Sequence, residues 1–332
     1  MTGASGFIGT YVCHYLLSKG YDVVGLKRDS SDLSTHELIF TELGATEKVR
    51  WKTADILDPN GVMEACEACD MVVHSAASVS FQPRERTAIL TNNIEGTNNV
   101  VNACIKSGIK RLVHISSVAA LPNPDKKKQL DESFLNSTYF EFETTYGESK
   151  YRSEMEVWRG LGEGLDVTIL NPGIVLGRWK FRNSSVEMFR SVFNGLKFYS
   201  SGYTGFVHVQ DIAHAAGFCL EKPESIGERY ILVGDNWYYK DFLFKIADEL
   251  SVKKPPIRAG LGLSEFVGLV SETWAKLTGS KAFITREIAQ SANRHIEFVN
   301  QKAQEQLGLS FTPLEEAIVE TAAFFKAHPE LR

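Results

Sequence analysis

The sequence predicts an α/β fold, a doubly wound parallel sheet followed by a smaller second lobe. Apolar, β-rich segments alternate with amphipathic helical segments in the first half of the chain, as parallel strands joined by helical crossovers require. A glycine-rich loop opens the chain, and the alternation loosens after about residue 178. We therefore expect a first domain at 1–177, with later strand and helix returns near 205–235, and a mainly substrate-binding lobe at 178–332.

Five segments have the composition of buried parallel strands. Each is short, rich in β-branched residues and followed by turn residues or a helical pattern. They are YDVVGLK (21–27), VRWKTADI (49–56), MVVHSAA (71–77), RLVHISS (111–117) and VTILNPGIVL (167–176). The helical pattern is clearest in TYVCHYLLSKG (10–20) and in NNIEGTNNVVNACIKSG (92–108).

Composition limits the partners of the chain. Its 332 residues are 43% hydrophobic and 23% charged, with a formal charge of −5, which favours a small-molecule partner over nucleic acid. No apolar run approaches the roughly 20 residues that span a bilayer, so no membrane contact is expected. Five scattered cysteines and the lack of a signal-peptide pattern favour the cytoplasm. No histidines have metal-site spacing, and no metal is predicted.

The opening stretch MTGASGFIG contains the pattern G-x-x-G-x-x-G at Gly3, Gly6 and Gly9. This spacing lets backbone amides at a helix N-terminus approach a pyrophosphate, which is typical of a Rossmann-type dinucleotide site. Such a loop normally follows a buried strand, yet only Met1 and Thr2 precede it. We expect that the native protein begins several residues earlier, with a central strand of about five residues.

The end of the next strand indicates which nicotinamide cofactor fits. An acidic residue there would bind the ribose hydroxyls of NAD, whereas a basic residue suits the 2′-phosphate of NADP. The strand ends in Lys27 and Arg28, and Asp29 follows. NADP is therefore the expected cofactor, and NAD stays open because Asp29 is adjacent.

The segment TTYGESKYRSE places Tyr146 and Lys150 four residues apart. On a helix this spacing puts both side chains on one face, and a nearby ammonium lowers the pKa of a phenol. A tyrosine tuned in this way can exchange a proton with a carbonyl or alcohol oxygen. The segment HISS, which ends in Ser116 and Ser117, lies at the end of a predicted strand between the glycine loop and this pair.

These motifs, in this order, resemble the extended short-chain dehydrogenase/reductase family, also described as the NAD(P)-dependent epimerase/dehydratase family. The resemblance implies that Tyr146 is the general acid/base, that Lys150 holds the nicotinamide ribose and lowers the Tyr146 pKa, and that Ser117, with Ser116 as the weaker alternative, binds the reacting oxygen. It also implies a set of cofactor-binding residues along the strand ends. These are Gly3, Ser5, Gly6, Phe7, Ile8, Gly9, Lys27, Arg28, Asp55, Ile56, Ala76, Ala77, Asn93, Tyr146, Lys150, Pro172, Gly173, Ile174 and Val175.

The second lobe carries fewer motifs. Asp211 in FVHVQDIAHAA precedes a helical pattern and is expected to cap that helix.

The substrate is expected to contact Ser78 and Phe81 after the third strand and Arg178 in GRWKFRNSS. The family resemblance also implies a homodimer formed through two helices per subunit, one of which bears Tyr146.

Departures within the family pattern separate the possible reactions. Family dehydratases carry Asp–Glu directly after the catalytic serine or threonine, whereas Val118 and Ala119 occur here, which disfavours dehydration. NPGIVLG and HSAASVSF resemble the branch of dihydroflavonol 4-reductases, cinnamoyl-CoA reductases and 3β-hydroxysteroid dehydrogenases. We therefore expect an NADPH-preferring reductase or alcohol dehydrogenase for a carbonyl or alcohol substrate. An NAD-dependent sugar-nucleotide epimerase and a non-catalytic dinucleotide sensor remain alternatives.

Overall fold

A computed structural model describes residues 1–67, 69–123, 128–133, 142, 144–182, 184–262, 268–269, 271–272 and 285–332. Its helices are α1 (Phe7–Ser18), α2 (Ser34–Glu42), α3 (Pro59–Cys66), α4 (Arg86–Lys106), α5 (Thr145–Gly162), α6 (Glu187–Phe193), α7 (Val209–Glu221), α8 (Tyr239–Glu249), α9 (Arg286–Ser291), α10 (Gln301–Leu307) and α11 (Leu314–Ala327). Its strands are β1 (Val24–Lys27), β2 (Arg50–Thr53), β3 (Met71–His74), β4 (Arg111–Ile115), β5 (Gln129–Leu130), β6 (Asp166–Pro172), β7 (Ile174–Leu176), β8 (Phe198–Ser200), β9 (Tyr203–His208), β10 (Glu228–Leu232), β11 (Asp235–Tyr238), β12 (Ile257–Ala259) and β13 (Glu297–Phe298).

The main sheet is parallel and confirms the predicted α/β architecture. One part has the order β10-β6-β4-β3, and the other pairs β1 with β2. The five predicted strand segments all contain strands of the structure, although each strand is shorter than its segment. The β10 strand, which joins the far edge, follows α7 in the chain.

Met1 and Thr2 lie between the two parts of the main sheet. The Leu26 amide donates to the Met1 carbonyl at 2.9 Å, and the Thr2 amide donates to the Val73 carbonyl at 3.0 Å. These two residues therefore occupy the carboxyl end of the central strand position that the glycine loop requires. The apolar side chains of Val62, Val72 and Val100 line the space next to them.

Both faces of the main sheet are covered, as in a doubly wound fold. On one face, Val12 and Leu16 of α1 belong to the same buried cluster as Ala216 of α7. On the other face, a second cluster unites Cys66 of α3, Val100 of α4 and Val157 of α5. Helices on both faces leave one edge of the sheet, the carboxyl ends of its strands, as the place where loops of different strands meet.

The later part of the chain adds small sheets to this framework. In one, β9 pairs in parallel with β7 and antiparallel with β11, and in another β8 pairs in parallel with β12. Phe324 and Phe325 of α11 belong to the core cluster that also contains α1. In the later part of the chain, residues 263–267, 270 and 273–284 lie outside the described ranges.

The expectation that Asp211 caps a helix is wrong. The helix begins at Val209, its N-cap is His208, and Asp211 lies inside the first turn. The Asp211 carboxylate instead accepts hydrogen bonds from the Thr312 amide at 2.9 Å and the Thr312 hydroxyl at 3.0 Å. It fastens the segment that leads into α11, a long-range contact that a local capping pattern does not reveal.

Candidate active site

The glycine loop connects Thr2 to α1 at the carboxyl edge of the sheet. Gly3 has φ of +66°, and a Cβ there would lie 2.8 Å from the Ala76 amide nitrogen. A Cβ on Gly9 would lie only 2.0 Å from the Gly3 carbonyl oxygen. Glycine is therefore required at both positions, because the loop, the first turn of α1 and the loop after β3 are packed backbone against backbone.

The start of α1 suits a pyrophosphate. Gly6 is its N-cap, and among the described residues no side chain caps the helix and no acidic residue lies in its first turn. Amides at a helix N-terminus and the positive end of the helix dipole both favour an anion. The Phe7 side chain turns away to stack on Trp179, with ring centroids 5.5 Å apart. The residues of this chain therefore fit the diphosphate of a dinucleotide.

The ends of β1 and β2 border the same edge. Lys27 is half-buried, and Arg28 is exposed at a turn in which the Arg28 amide donates to the Ser31 hydroxyl at 3.0 Å. Asp55 accepts from the Leu57 amide at 2.9 Å, while Ile56 is buried against Gly96 of α4. The positive charge of Arg28 is thus on the surface, whereas Ile56 belongs to the core cluster between the sheet and α4.

Ser117, Tyr146 and Lys150 are brought together by the end of β4 and the first turns of α5. The Ser117 side chain lies close enough to Tyr146 to lower the pKa of its phenol. Lys150 is buried, and its Nζ donates to the Ile115 carbonyl at 2.8 Å. Thr144 caps α5 by accepting from the Gly147 amide at 2.9 Å, which sets the direction of the helix that carries both side chains.

The two serines of HISS have different surroundings. Ser116 is buried, and its hydroxyl has no hydrogen-bond partner among the described residues, whereas Ser117 is half-buried and lowers the pKa of Tyr146. The Ser117 hydroxyl also accepts from the Ala119 amide at 3.2 Å. The geometry therefore favours Ser117 over Ser116 as the partner of a reacting oxygen.

The pKa of Tyr146 differs from the expectation. Burial raises the pKa of Tyr146 to about 12, and the smaller opposing effect of Ser117 lowers it only in part. Burial lowers the pKa of Lys150 to about 8, against an opposing effect of Glu154. The expected lowering of the Tyr146 pKa by Lys150 is therefore wrong for this structure, in which the Lys150 ammonium is directed to the Ile115 carbonyl.

A comparison with protein families identifies the framework that carries this site. The model of the NAD dependent epimerase/dehydratase family matches residues 1–234. The chain belongs to this family. It is thus an NAD(P)-dependent oxidoreductase of the extended short-chain dehydrogenase/reductase type, and its cofactor is NAD(P).

Curated relatives of this family member include plant and bacterial reductases. Cinnamoyl-CoA reductase 1 of Petunia hybrida is 28% identical over 97% of this chain and 90% of that protein. Cinnamoyl-CoA reductase 1 of Oryza sativa is 32% identical over 70% of each chain. A putative dihydroflavonol 4-reductase of Synechocystis is 24% identical over 99% of this chain and 94% of its own length.

Solved structures confirm the Rossmann-type fold of the extended dehydrogenase/reductase. The protein gox2253 superimposes with a TM-score of 0.82 at 28% identity, covering 100% of this chain and 98% of the other. The dTDP-glucose 4,6-dehydratase DesIV of Streptomyces venezuelae, solved with NAD, gives 0.78 at 17% identity, over 100% of this chain and 98% of its own. At that identity the likeness concerns the fold alone.

Asn93 of this dehydrogenase/reductase fixes the loop after β3. Its side-chain oxygen accepts from the Ser78 amide at 2.7 Å, and its nitrogen donates to the Ser78 carbonyl and the Ser149 hydroxyl, both at 2.9 Å. The amide therefore joins α4, the loop that contains Ala76 and Ala77, and the helix of Tyr146. Phe81, farther along the loop, presents its ring edge to Tyr146 with centroids 6.0 Å apart.

The loop after β6 lies beside β9 and β10. Pro172 is buried, and the Gly173 amide donates to the Leu232 carbonyl at 3.0 Å. A Cβ on Gly173 would lie 2.5 Å from the Gly205 carbonyl oxygen. Ile174 and Val175 then begin the short strand that pairs with β9. This loop is therefore held in place by backbone contacts to β9 and β10.

Arg178 contacts carboxylates of its own chain. Its Nε donates to Glu320 at 2.6 Å, and its Nη1 lies 3.4 Å from Glu42. Glu320 also lies 2.8 Å from the His208 ring. The Arg178 guanidinium thus joins α2 and α11, and a role in binding substrate stays a prediction that its contacts do not favour.

Sequence reasoning missed two acidic residues, one that contacts the start of α5 and one on α5 itself. Glu287 of α9 accepts from the Thr145 amide at 3.1 Å and from the Thr145 hydroxyl at 3.0 Å. Glu154 of α5 is fully buried and pairs with Arg229 of β10. The spacing of Glu154, four residues after Lys150 on one helix face, is a signal that could have found it; nothing local points to Glu287.

Two negative findings concern the described residues. No helix in this part of the chain is long and apolar enough to cross a membrane. Within the same residues, no group of three histidine, cysteine, aspartate or glutamate side chains has the arrangement of a metal site.

Proposed function

We propose that this family member is an NADPH-preferring reductase of ketones or aldehydes, or the corresponding alcohol dehydrogenase, acting on a medium-sized, partly apolar small molecule. The observation that carries the proposal is the placement of Ser117 at the end of β4 next to the first turns of α5, which hold Tyr146 and the buried Lys150, with Ser117 close enough to lower the pKa of Tyr146. The full-length similarity to curated reductases supports it.

The chemistry divides between cofactor and protein. Bound NADPH supplies the hydride for carbonyl reduction. Tyr146 donates the proton to the carbonyl oxygen, since its raised pKa keeps the phenol protonated at neutral pH. Ser117 binds the same oxygen, and Lys150, held by the Ile115 carbonyl, supplies positive charge to the ribose side. Ser78 and Phe81 form the side of the pocket nearest Tyr146.

The cofactor preference rests on the end of β1. Lys27 and the exposed Arg28 follow the strand whose end meets the adenosine ribose in this fold. Their charges favour the 2′-phosphate of NADP, whereas Asp29 is the residue through which NAD would be accepted.

The alternatives are less well supported. An epimerase would use Arg178, Lys180 and Arg182 to grip a diphosphate, yet Arg178 pairs with Glu320 and Arg182 donates to the Arg332 carbonyl at 2.7 Å. A non-catalytic sensor would not need Ser117, Tyr146 and Lys150 together. An enzyme that purifies with bound NAD and turns over a sugar nucleotide without added NADPH would favour the epimerase.

A substrate panel tests the proposal. Ketones, aldehydes, acyl thioesters and sugar nucleotides are offered with NADPH and NADH, and oxidation of the cofactor is followed by absorbance. We expect turnover of a carbonyl compound with NADPH in the native protein. Tyr146→Phe should remove turnover by a factor of about 10²–10⁴ and leave NADPH binding intact. Turnover retained in Tyr146→Phe would refute the assignment.

The domain boundaries, the oligomeric state and the cellular compartment are also part of the proposal. We place the cofactor domain at 1–177 with returns near 205–235, and the substrate lobe mainly at 178–332. A homodimer formed through two helices per subunit, one of which is α5 with Tyr146, and a cytoplasmic location accompany this proposal. Light scattering coupled to size-exclusion chromatography tests the dimer, and cell fractionation tests the compartment.

A further inference from the structure

A buried ion pair lies between the catalytic helix and the sheet. Glu154 of α5 is 0% exposed, Arg229 of β10 is 2% exposed, and their side chains are in direct contact. Placing both charges in the core costs free energy unless each is well partnered. The proton and hydride chemistry proposed above uses neither residue, so the pair calls for an explanation.

Glu154 also contacts the residue before the β6 proline. Its Oε1 accepts from the Asn171 side-chain nitrogen at 2.7 Å, and the same nitrogen donates to the Ser117 carbonyl at 2.8 Å. Two acceptors on one side fix the orientation of the amide, because only its NH₂ group can satisfy both. Glu154 is therefore linked, through Asn171, to the backbone of Ser117.

Glu154 faces Lys150 from one helical turn away. The other titratable groups near Lys150 are Tyr146 on the same helix and two buried histidines of the sheet, His74 and His114. Burial, with a smaller effect of Lys150, lowers the pKa of His74 to about 3 and that of His114 far below its usual value, so both are neutral. Glu154 thus supplies the negative charge that acts on the Lys150 ammonium.

We propose that Glu154 is a positioning residue for both sides of the active site: its carboxylate, held by Arg229, balances the charge of Lys150, and through Asn171 it fixes the backbone of Ser117. This inference rests on the proposed function, because it assigns Lys150 and Ser117 to the reaction. Glu154 itself contacts neither substrate nor cofactor. Its effect is exerted through the two neighbouring residues.

The first experiment measures the charge of Lys150 without turnover. The protein is labelled at lysine ¹³Cε, the Lys150 signal is assigned by its loss in Lys150→Met, and its pKa is read from the pH dependence of the shift. The Glu154→Gln/Arg229→Met double variant removes both buried charges, so that neither is left unpaired. We expect the Lys150 pKa, about 8 in the native protein, to fall by about one unit, a tenfold loss of proton affinity.

Glu156→Gln is the matched control. It lies on the same helix, where it pairs with Arg159 and Asn98 away from the site, and should leave the Lys150 pKa unchanged. A folded double variant with an unchanged Lys150 pKa overturns the proposal. In the native enzyme the alkaline limb of the kcat profile should follow the Lys150 pKa and move to lower pH in the double variant.

A second variant tests the link from Glu154 through Asn171 to Ser117. This test does not require that the double variant folds. Asn171→Leu leaves the Glu154–Arg229 pair in place and removes both Asn171 hydrogen bonds. We expect kcat to fall about tenfold with little change in KM for the carbonyl substrate, since alignment of Ser117 is lost, and the Lys150 pKa to stay as in the native protein. An unchanged kcat overturns the proposal.

If no carbonyl compound is reduced by the native enzyme, the proposed function fails, whereas the Lys150 titration still decides the role of Glu154.

Discussion

The Glu287 carboxylate binds Thr145 at both of that residue's donors, with the amide 3.1 Å and the hydroxyl 3.0 Å away. Thr145 is the first residue of α5 and directly precedes Tyr146. A carboxylate at this position satisfies an amide that has no partner within the helix, and it complements the helix dipole. The late part of the chain thus holds the start of the catalytic helix.

Removing that carboxylate should destabilise the protein and disturb catalysis. We expect Glu287→Ala to lower the free energy of unfolding by about 1–3 kcal/mol, because a charged hydrogen-bond acceptor is lost at a half-buried helix end. Urea denaturation measures the change. Glu224→Ala, at an exposed position, is the control and should lie within about 0.5 kcal/mol of the native protein. Equal stability of both variants would contradict the role of Glu287.

The pH dependence of activity should follow Lys150. Burial lowers its pKa to about 8, so its positive charge is present below that pH and lost above it. Tyr146, with a pKa raised to about 12, stays protonated throughout this range. We expect kcat for carbonyl reduction to be level near neutral pH and to decline through about pH 8. An activity that holds up to pH 10 would show that Lys150 charge is not needed.

Two helix glycines, Gly9 in the first turn of α1 and Gly162 at the end of α5, should respond unequally to replacement by alanine. Gly9→Ala introduces a Cβ 2.0 Å from the Gly3 carbonyl oxygen, so the loop or the helix must move. We expect a loss of at least about 1–3 kcal/mol in unfolding free energy and a large loss of NADPH affinity. Gly162→Ala, at the end of α5, meets nothing within 4 Å and should be neutral or stabilising. Thermal denaturation and cofactor fluorescence check both variants.

The basic end of β1 should determine cofactor choice. We expect Arg28→Ala to weaken NADPH binding about tenfold, consistent with the loss of one charged contact to a phosphate, and to leave NADH binding nearly unchanged. Titration of cofactor fluorescence gives both dissociation constants. Lys110→Ala removes an exposed charge whose partner is Asp70 and serves as control. Equal weakening of NADPH and NADH would argue against recognition of the 2′-phosphate.

The fold could be predicted from the sequence because the residue patterns that indicate its strands and helices are local. The apolar periodicity of 71–77 and 111–117 predicts strands without reference to the rest of the chain, and the glycine spacing predicts the loop at α1. The four-residue spacing of Tyr146 and Lys150 likewise places both on one helix face before any packing is known. Strand ends were less accurate, since the last hydrogen bonds depend on the neighbouring strand.

The tertiary structure decided which long-range partner each polar side chain has. Arg178 pairs with Glu320, 142 residues away, while its contact with substrate stays a prediction. Asp211 was expected to cap a helix and instead holds Thr312, 101 residues away. Such partners are set by which helices pack together, and no local pattern encodes them.

The sequence by itself determined the α/β framework, the glycine loop and the order of Ser117, Tyr146 and Lys150 along the chain. Each of these can be recognised from the residue pattern of a short segment. Only the tertiary structure decided the electrostatic state of the site. It aims the Lys150 ammonium at the Ile115 carbonyl, and it buries Tyr146 so that its pKa rises. Desolvation and charge pairing depend on the atoms that surround a group, and those atoms come from distant parts of the chain.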